Sequence, residues 1–264
     1  MPSTLHEAIR QANARGEAAL IPFITAGDPS LEVLPKILDA LVEGGADAIE
    51  IGIPFSDPIA DGPIIQASSQ RALDRGVTPK AILEVLKTWQ NPKGVPFLLM
   101  TYINPVLRMG EDVFLREAKA AGASGILITD TTPEEAIEWC EKSKAQGIET
   151  IFLATPTSTD ARIQRAIDST TGFIYAVSRT GVTGTGEATA KIQDGLVEKI
   201  RAMTDLPVAL GFGIRTAEDV REAAKQADGV IVGSVLVDLV KNTGSDLSGI
   251  TDFIALLKSG TALA

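Results

Sequence analysis

Two carboxylates in one short stretch are the residues best placed to do chemistry. Residues 45–63 read GADAIEIGIPFSDPIADGP: an apolar strand interrupted by Glu50, then a loop of Pro, Gly and Asp that carries Asp61. Side chains alternate along a strand, so Ile49 and Ile51 share one side while Ala48, Glu50 and Gly52 share the other. If the isoleucines meet helices, Glu50 points into the middle of a sheet or barrel. A charge buried there is costly unless something uses it. A strand-end carboxylate paired with a cation is one reading, but no Lys or Arg lies nearby in sequence. Acid/base work is the other, because a loop carboxylate follows and two carboxylates in different surroundings can divide the roles of acid and base.

Other residue types narrow the chemistry further. The chain has one histidine, His6, within a predicted first helix, which removes a histidine metal site, a Ser-His-Asp triad and a histidine general base. No lysine falls in a predicted strand, so a Schiff-base lysine inside a barrel is not expected. Proton transfer then rests on carboxylates and on tyrosine. The two tyrosines, Tyr102 and Tyr175, both fall at strand ends. Each can fill space, hydrogen-bond a ligand, or do both. Asp130 also ends a strand and is followed by TTPEE, so it reads equally as a cap for the next helix or as a ligand-binding group.

Glycines give a second signal. GFG at 211–213 and Gly233 with Ser234 follow the last two apolar runs, and GVTGTG follows the sixth. Glycine lets backbone N–H groups come close to an anion, and a helix starting near Ser234 adds the positive end of its dipole. Such glycines are also ordinary turn residues. The glycine-rich loop adds weight to the phosphate reading, since it has the freedom of a lid that closes on an anion and excludes water.

The elements that must position these groups alternate regularly. Apolar strands are predicted over 19–25, 48–51, 95–101, 125–129, 149–154, 172–178, 207–210 and 229–232. Helical spacing separates them over 4–14, 31–42, 64–74, 79–89, 113–121, 133–146, 161–168, 192–203, 217–224, from Val235, and over 247–258. Pro133 suits the first position of its helix, and Thr159 or Asp160 suits a cap. YINPVLRMG at 102–110 reads as a connection. Eight runs that are apolar throughout, not half polar, match parallel strands covered on both faces. The count predicts an α/β fold, an eightfold parallel β/α barrel with an extra N-terminal helix and extra helices near strands two and eight. A doubly wound open sheet is the alternative, but ALIPFITAGDP lacks its glycine fingerprint. No compositional shift divides residues 1–264, so one domain is expected. In such barrels, sites gather at the C-terminal ends of the strands, where Glu50, Asp61, Tyr102, Asp130, Tyr175, Thr183 and Ser234 all fall.

Composition bounds the partners. The net charge of −10 argues against nucleic acid and anionic membranes, which call for a basic face, and leaves any phosphate to backbone N–H groups. No apolar run approaches a membrane span, and the N-terminus lacks the pattern of a signal peptide. One cysteine, Cys140, excludes an intramolecular disulfide and fits a reducing cytoplasm, the expected location.

Taken together, GADAIEIGIPFSDPIADGPIIQ, PFITAGDP, MTYINPV, YAVSRTGVTG, GFGI and VIVGS resemble the tryptophan synthase alpha subunit along essentially the whole chain. The resemblance implies cleavage of indole-3-glycerol phosphate to indole and glyceraldehyde 3-phosphate. It also implies a pyridoxal-phosphate-dependent beta subunit in an alpha2-beta2 complex, with no cofactor or metal in this chain. Carried over by motif, Glu50 matches the general acid/base, Asp61 the aspartate that engages the indole N–H, and Tyr175 a tyrosine near the reacting centre. Phe23, Tyr102, Leu127 and Thr183 match the pocket wall and lid contact. Gly184, Gly213, Gly233 and Ser234 match the phosphate cradle, with Phe212 beside it. Asp57, on a tip over 54–58 expected to be exposed, matches the region that senses the partner. Two segments depart from the family pattern: Thr132 stands where proline is usual, and the lid continues TGEATA after GVTG.

The implied reaction, a retro-aldol cleavage, needs no metal, Schiff base or histidine. An apolar barrel is expected to raise the pKa of Glu50, while solvent and loop amides keep Asp61 ionised. Three other readings fit parts of the pattern: an autonomous indole-releasing lyase, another phosphosugar enzyme on the same fold, and a non-catalytic barrel that regulates a partner.

Overall fold

The computed structural model describes residues 4–177, 195–211, 213–242 and 247–263. In chain order the elements begin with α1 (Leu5–Ala14), β1 (Ala19–Thr25), α2 (Leu34–Glu43), β2 (Ile49–Gly52), α3 (Pro63–Asp74) and α4 (Pro79–Thr88). The middle of the chain forms β3 (Phe97–Thr101), α5 (Ile103–Met109), α6 (Glu111–Ala120), β4 (Gly125–Ile128), α7 (Ile137–Ala145) and β5 (Glu149–Ala154). There follow α8 (Asp160–Ser169), β6 (Ile174–Val177), α9 (Leu196–Arg201), β7 (Val208–Gly211), α10 (Ala217–Ala224), β8 (Gly229–Val232), α11 (Ser234–Asn242) and α12 (Ser248–Lys258).

The eight strands pair in sequence order, all parallel, and close into a barrel through β1 and β8, with Ile21 opposite Ile231. The extra helices fall where they were expected: α1 before the first strand, two helices between β2 and β3, and two after β8. Strand alternation sorts the core into two layers. Ile49 and Ile51 join the layer between strands and helices, with Leu20, Ile24, Leu99 and Ile126. Ala48, Leu98, Leu127, Ile151, Tyr175 and Ile231 fill the inside.

α1 plugs the N-terminal end of the barrel. Leu5, Ile9 and Ala12 are fully buried against the interior layer. Each large apolar side chain so buried contributes about 1.5–3 kcal/mol. Gly125 makes room for the helix, since a Cβ there would lie 2.5 Å from Leu5 Cδ1. A capping box closes the first turn: Glu7 N–H donates to Thr4 Oγ1 at 3.1 Å, and Thr4 N–H donates to Glu7 Oε2 at 3.0 Å. Glu149 reaches under the same turn, accepting the N–H of Leu5 at 2.7 Å and of His6 at 3.3 Å. Burial pushes its carboxyl up to about 7 despite these bonds.

Several local expectations need correction. The 102–110 segment is not a plain connection: it forms α5, whose Pro105 lies in the first turn, where no N–H is required. Pro133 does not start a helix; residues 133–135 form a separate turn and α7 begins at Ile137. Thr132 explains the break, because its N–H and hydroxyl both donate to Glu135 Oε2, at 3.1 and 2.8 Å. A proline at this position could not make the first bond. The third strand starts at Phe97, not Val95, because Val95 is held in an Asn91 turn and Pro96 has no N–H to pair. Thr159, not Asp160, caps α8, accepting the N–H of Arg162.

Candidate active site

The C-terminal ends of the strands surround a cavity of about 390 Å³. Phe23, Glu50, Asp61, Leu127, Tyr175, Gly213, Gly233 and Ser234 all line it, so the sequence-predicted residues converge from four strands, three loops and the start of α11. Its walls are otherwise mostly apolar, from Ile65, Met100, Leu153, Val177 and Ile231, with Thr129, Thr155 and Thr157 adding hydroxyls. Thr183, Gly184 and Phe212 lie outside the described residues.

Glu50 stands in the middle of β2, opposite Phe23 of β1 and Leu98 of β3. Its side chain points inward and is 1 % exposed. Neither carboxylate oxygen has a hydrogen-bond partner among the described residues. Burial, and then repulsion by Asp61, push its carboxyl up to about 8. At neutral pH it is therefore a protonated acid directed into the cavity.

Asp61 sits at the end of the loop after β2, immediately before the glycine that caps α3. The expectation of a solvated carboxylate is not met: Asp61 is 6 % exposed, and burial raises it to about 6. The nearby Tyr102 hydroxyl opposes that rise, so Asp61 is largely ionised at pH 7. It ionises while Glu50 is still neutral, which is why the repulsion between them falls on Glu50. The pair is thus split into an acid and a carboxylate, as the two positions in the sequence suggest.

Packing fixes the surrounding rings. Phe23 lies across Gly52, where a Cβ would stand 2.6 Å from its Cζ, and beside Gly233. Tyr175 covers Gly211, where a Cβ would be 2.7 Å from the phenol oxygen. Its hydroxyl is held far above its ordinary range by burial and by both carboxylates, so it stays protonated. Tyr102 stacks on Phe55 at 5.1 Å. It borders the cavity only through Asp61 and Ala60, not as one of the residues that line it.

An anion could sit where β7 and β8 end. Gly213 has φ +78°, a left-handed conformation that favours glycine, and open space where a side chain would be. Gly233 and Ser234 lead into α11, whose start brings the positive end of the helix dipole to the cavity edge. No Lys, Arg or His lines the cavity among the described residues.

Asp130 does not cap the helix that follows it. Its Oδ1 accepts the N–H of Ile103 at 2.8 Å and so caps α5 across the barrel rim. The tip after β2 is exposed at Ser56, Asp57 and Ile59, the last 78 % accessible, but Pro54 is buried. Sequence reasoning overlooked Met100, Thr129, Leu153, Thr155 and Val177. Met100, Thr129 and Val177 share the parity of Tyr102, Leu127 and Tyr175, so alternation alone could have found them, whereas no residue of β5 had been singled out to give the parity of Leu153 and Thr155.

The family model described as tryptophan synthase alpha chain matches residues 9–259. A tryptophan synthase alpha chain from Burkholderia lata is 47% identical over 249 residues, covering 93% of this chain and 92% of that one. One from Solibacter usitatus is 46% identical over 237 residues, covering 90% and 88%. Among solved structures, a tryptophan synthase from Mycobacterium tuberculosis superposes with a TM-score of 0.91 at 36% identity, covering 100% of both chains. A mutant alpha subunit from Pyrococcus furiosus gives 0.83 at 40% identity, covering 92% of this chain and 98% of the other. The chain belongs to the tryptophan synthase alpha chain family.

Proposed function

We propose that the chain cleaves indole-3-glycerol phosphate to indole and glyceraldehyde 3-phosphate by carboxylate acid/base catalysis. The observation that carries this reading is the unpartnered, protonated Glu50 carboxyl inside the cavity, with an ionised Asp61 beside it.

Glu50 gives its proton to indole C3. This breaks the aromaticity of the five-membered ring and leaves cationic character on nitrogen. Asp61, ionised, accepts the indole N–H and stabilises that charge. The Glu50 carboxylate then takes the proton of the side-chain hydroxyl as the C–C bond breaks. The bonding electrons return to the ring, releasing indole, and the hydroxyl carbon becomes the aldehyde. Glu50 ends protonated, ready for another turnover. General acid/base help of this kind is worth roughly 10²–10⁴-fold. Tyr175, protonated and packed over Gly211, lies beside the reacting atoms as a neutral hydrogen-bonding group.

Phe23 and Leu127 form the indole wall, and Tyr102 stands behind the Asp61 loop. Gly213, Gly233 and Ser234 hold the phosphate through backbone N–H groups, supported by the helix start and the glycine conformation there. By family resemblance Thr183, Gly184 and Phe212 join them. The exposed Asp57 tip meets a beta subunit that holds pyridoxal phosphate and turns indole and serine into tryptophan. Among the described residues no helix is long and apolar enough to cross a membrane, and a cytoplasmic site of action fits the single cysteine.

The test is indole release by the purified full chain, with and without a tryptophan synthase beta subunit. Release that the beta subunit strongly accelerates supports the reading. High release by the chain alone points to an autonomous lyase, and no release under either condition overturns the proposal.

A further inference from the structure

We infer that Arg71 is a positioning residue for Asp61: its forked bond to Asp28 pins the far end of α3 across the end of β1, and α3 holds Asp61 at the cavity. The inference rests on the role given to Asp61 above.

α3 does not take the usual place of a crossover helix. α4 fills that place after β2, packed between α2 and α6, while α3 turns back to pack on β1 and α11. Its first turn is part of the site. Asp61 immediately precedes the Gly62 cap. Ile65 lines the cavity and reaches toward Gly233, where a Cβ would stand 3.8 Å from its Cδ1. Gln66 Nε2 donates to the Asp61 carbonyl at 2.8 Å and to the Pro58 carbonyl at 3.4 Å, so the loop is tied to the helix that follows it. Where α3 lies thus decides where Asp61 lies.

Little apolar burial holds α3 there. The residues buried on its inner face are Ser68, Ser69 and Ala72, whereas α2 buries Leu34, Ile37, Leu38 and Leu41. So small a face gains little from the hydrophobic effect, which scales with apolar area. Polar bonds to the end of β1 take over. Thr25 Oγ1 and Ser68 Oγ are hydrogen-bonded at 2.6 Å. In the last turn of α3, Arg71 Nε donates to Asp28 Oδ1 at 3.0 Å and Arg71 Nη2 to Asp28 Oδ2 at 2.5 Å. Exposed ion pairs hold little. Asp28, however, is buried, and a two-pronged pair fixes direction as well as distance. Arg75 lies further off, 3.9 Å from Asp28 Oδ1. A helix pinned at its last turn cannot swing at its first.

An ion pair that only adds stability would change how much of the chain is folded, not how the folded chain works. In the full chain, titration of Asp61 is followed by carbon NMR of carboxyl-labelled aspartate, with the signal assigned by its loss in Asp61→Asn. Binding sites are counted with glycerol 3-phosphate, and kcat for indole release is expressed per site. Arg71→Gln is expected to lower the Asp61 titration by roughly half a pH unit to one, since a loosened loop lets water reach the carboxylate. Glu50, Tyr102 and Tyr175, the ionisable groups near Asp61, are left in place. kcat per site is expected to fall about tenfold, since Asp61 is misplaced. Glycerol 3-phosphate affinity should stay within about twofold, because the phosphate glycines lie on other elements. Arg71→Lys, which keeps the charge but not the fork, is expected to lie between Arg71→Gln and the parent chain. That graded order supports positioning. An Asp61 titration and a kcat per site both equal to the parent's overturn it, as does a loss of binding sites with the titration unmoved. If Arg71→Gln does not fold, Arg71→Lys decides alone. If the unmodified chain releases no indole, the proposed reaction fails while the titration still decides the role of Arg71.

Discussion

Phe23 covers Gly52 so closely that a methyl group on the glycine would stand 2.6 Å from the ring's Cζ. The two residues belong to paired strands, and Phe23 is directly opposite Glu50 in register. Gly52 thus lets the ring lie flat along the wall. Gly52→Ala is expected to push the ring toward the cavity and raise KM for indole-3-glycerol phosphate roughly tenfold, with a smaller change in kcat. Phe23→Leu, in the same chain, removes the obstructing end of the ring and should restore much of the affinity. Steady-state kinetics of the single and double variants check this, and failure of the second substitution to help would place the defect elsewhere.

Glu50→Gln keeps the size and burial of the side chain but cannot deliver and recover a proton. Cleavage is expected to fall by at least about 10²-fold, while a glycerol phosphate analogue binds with near-unchanged affinity. Single-turnover indole release and equilibrium binding of the analogue, measured on the same preparation, separate the two effects. Near-normal release would remove Glu50 from the chemistry.

The pH profile follows from the two carboxyls. The reaction calls for Asp61 ionised and Glu50 protonated. Asp61, raised to about 6, makes activity fall as pH drops below that value, and Glu50, raised to about 8, makes it fall as pH rises above that value. A bell-shaped kcat/KM with limbs near those values is expected, read as properties of the pair. A profile that stays flat up to pH 9 would show that Glu50 is not needed as an acid.

Much of this site was legible because strand parity is a strict rule. Glu50 between Ile49 and Ile51 had to face the opposite way from residues that meet helices, and it does. Eight mostly apolar runs implied a parallel sheet covered on both faces, and their count, with no glycine fingerprint after the first, favoured a barrel over an open sheet. What escaped depends on contacts between distant parts of the chain. Asp130 caps a helix that begins 27 residues earlier, not the one beside it. Glu149 holds the start of α1, 144 residues away in sequence. Asp61 looked solvated because its loop is rich in Pro, Gly and Asp, yet its burial beside the Tyr102 hydroxyl comes from tertiary packing. α5 was missed because Asn104 and Pro105 resemble loop residues, although in a first turn they cost little.

Glu50 also sets a cost in stability with a definite sign. Its carboxyl is raised from an ordinary value near 4.5 to about 8 in the folded chain, so the folded state holds that proton more tightly than the unfolded state does. The contribution is complete below the unfolded value, and it is lost progressively as pH rises toward the folded one. Asp61, also raised, acts in the same sense at lower pH. Gln at position 50 carries no titrating proton and escapes the penalty. Glu50→Gln is therefore expected to change stability little at pH 5 and to gain a few kcal/mol over the parent chain at pH 9. Urea unfolding of both proteins at the two pH values gives the comparison, and taking the difference at each pH cancels the titration of groups the two share. An identical difference at pH 5 and pH 9 would mean that the carboxyl pays no desolvation cost, contrary to its burial inside the barrel.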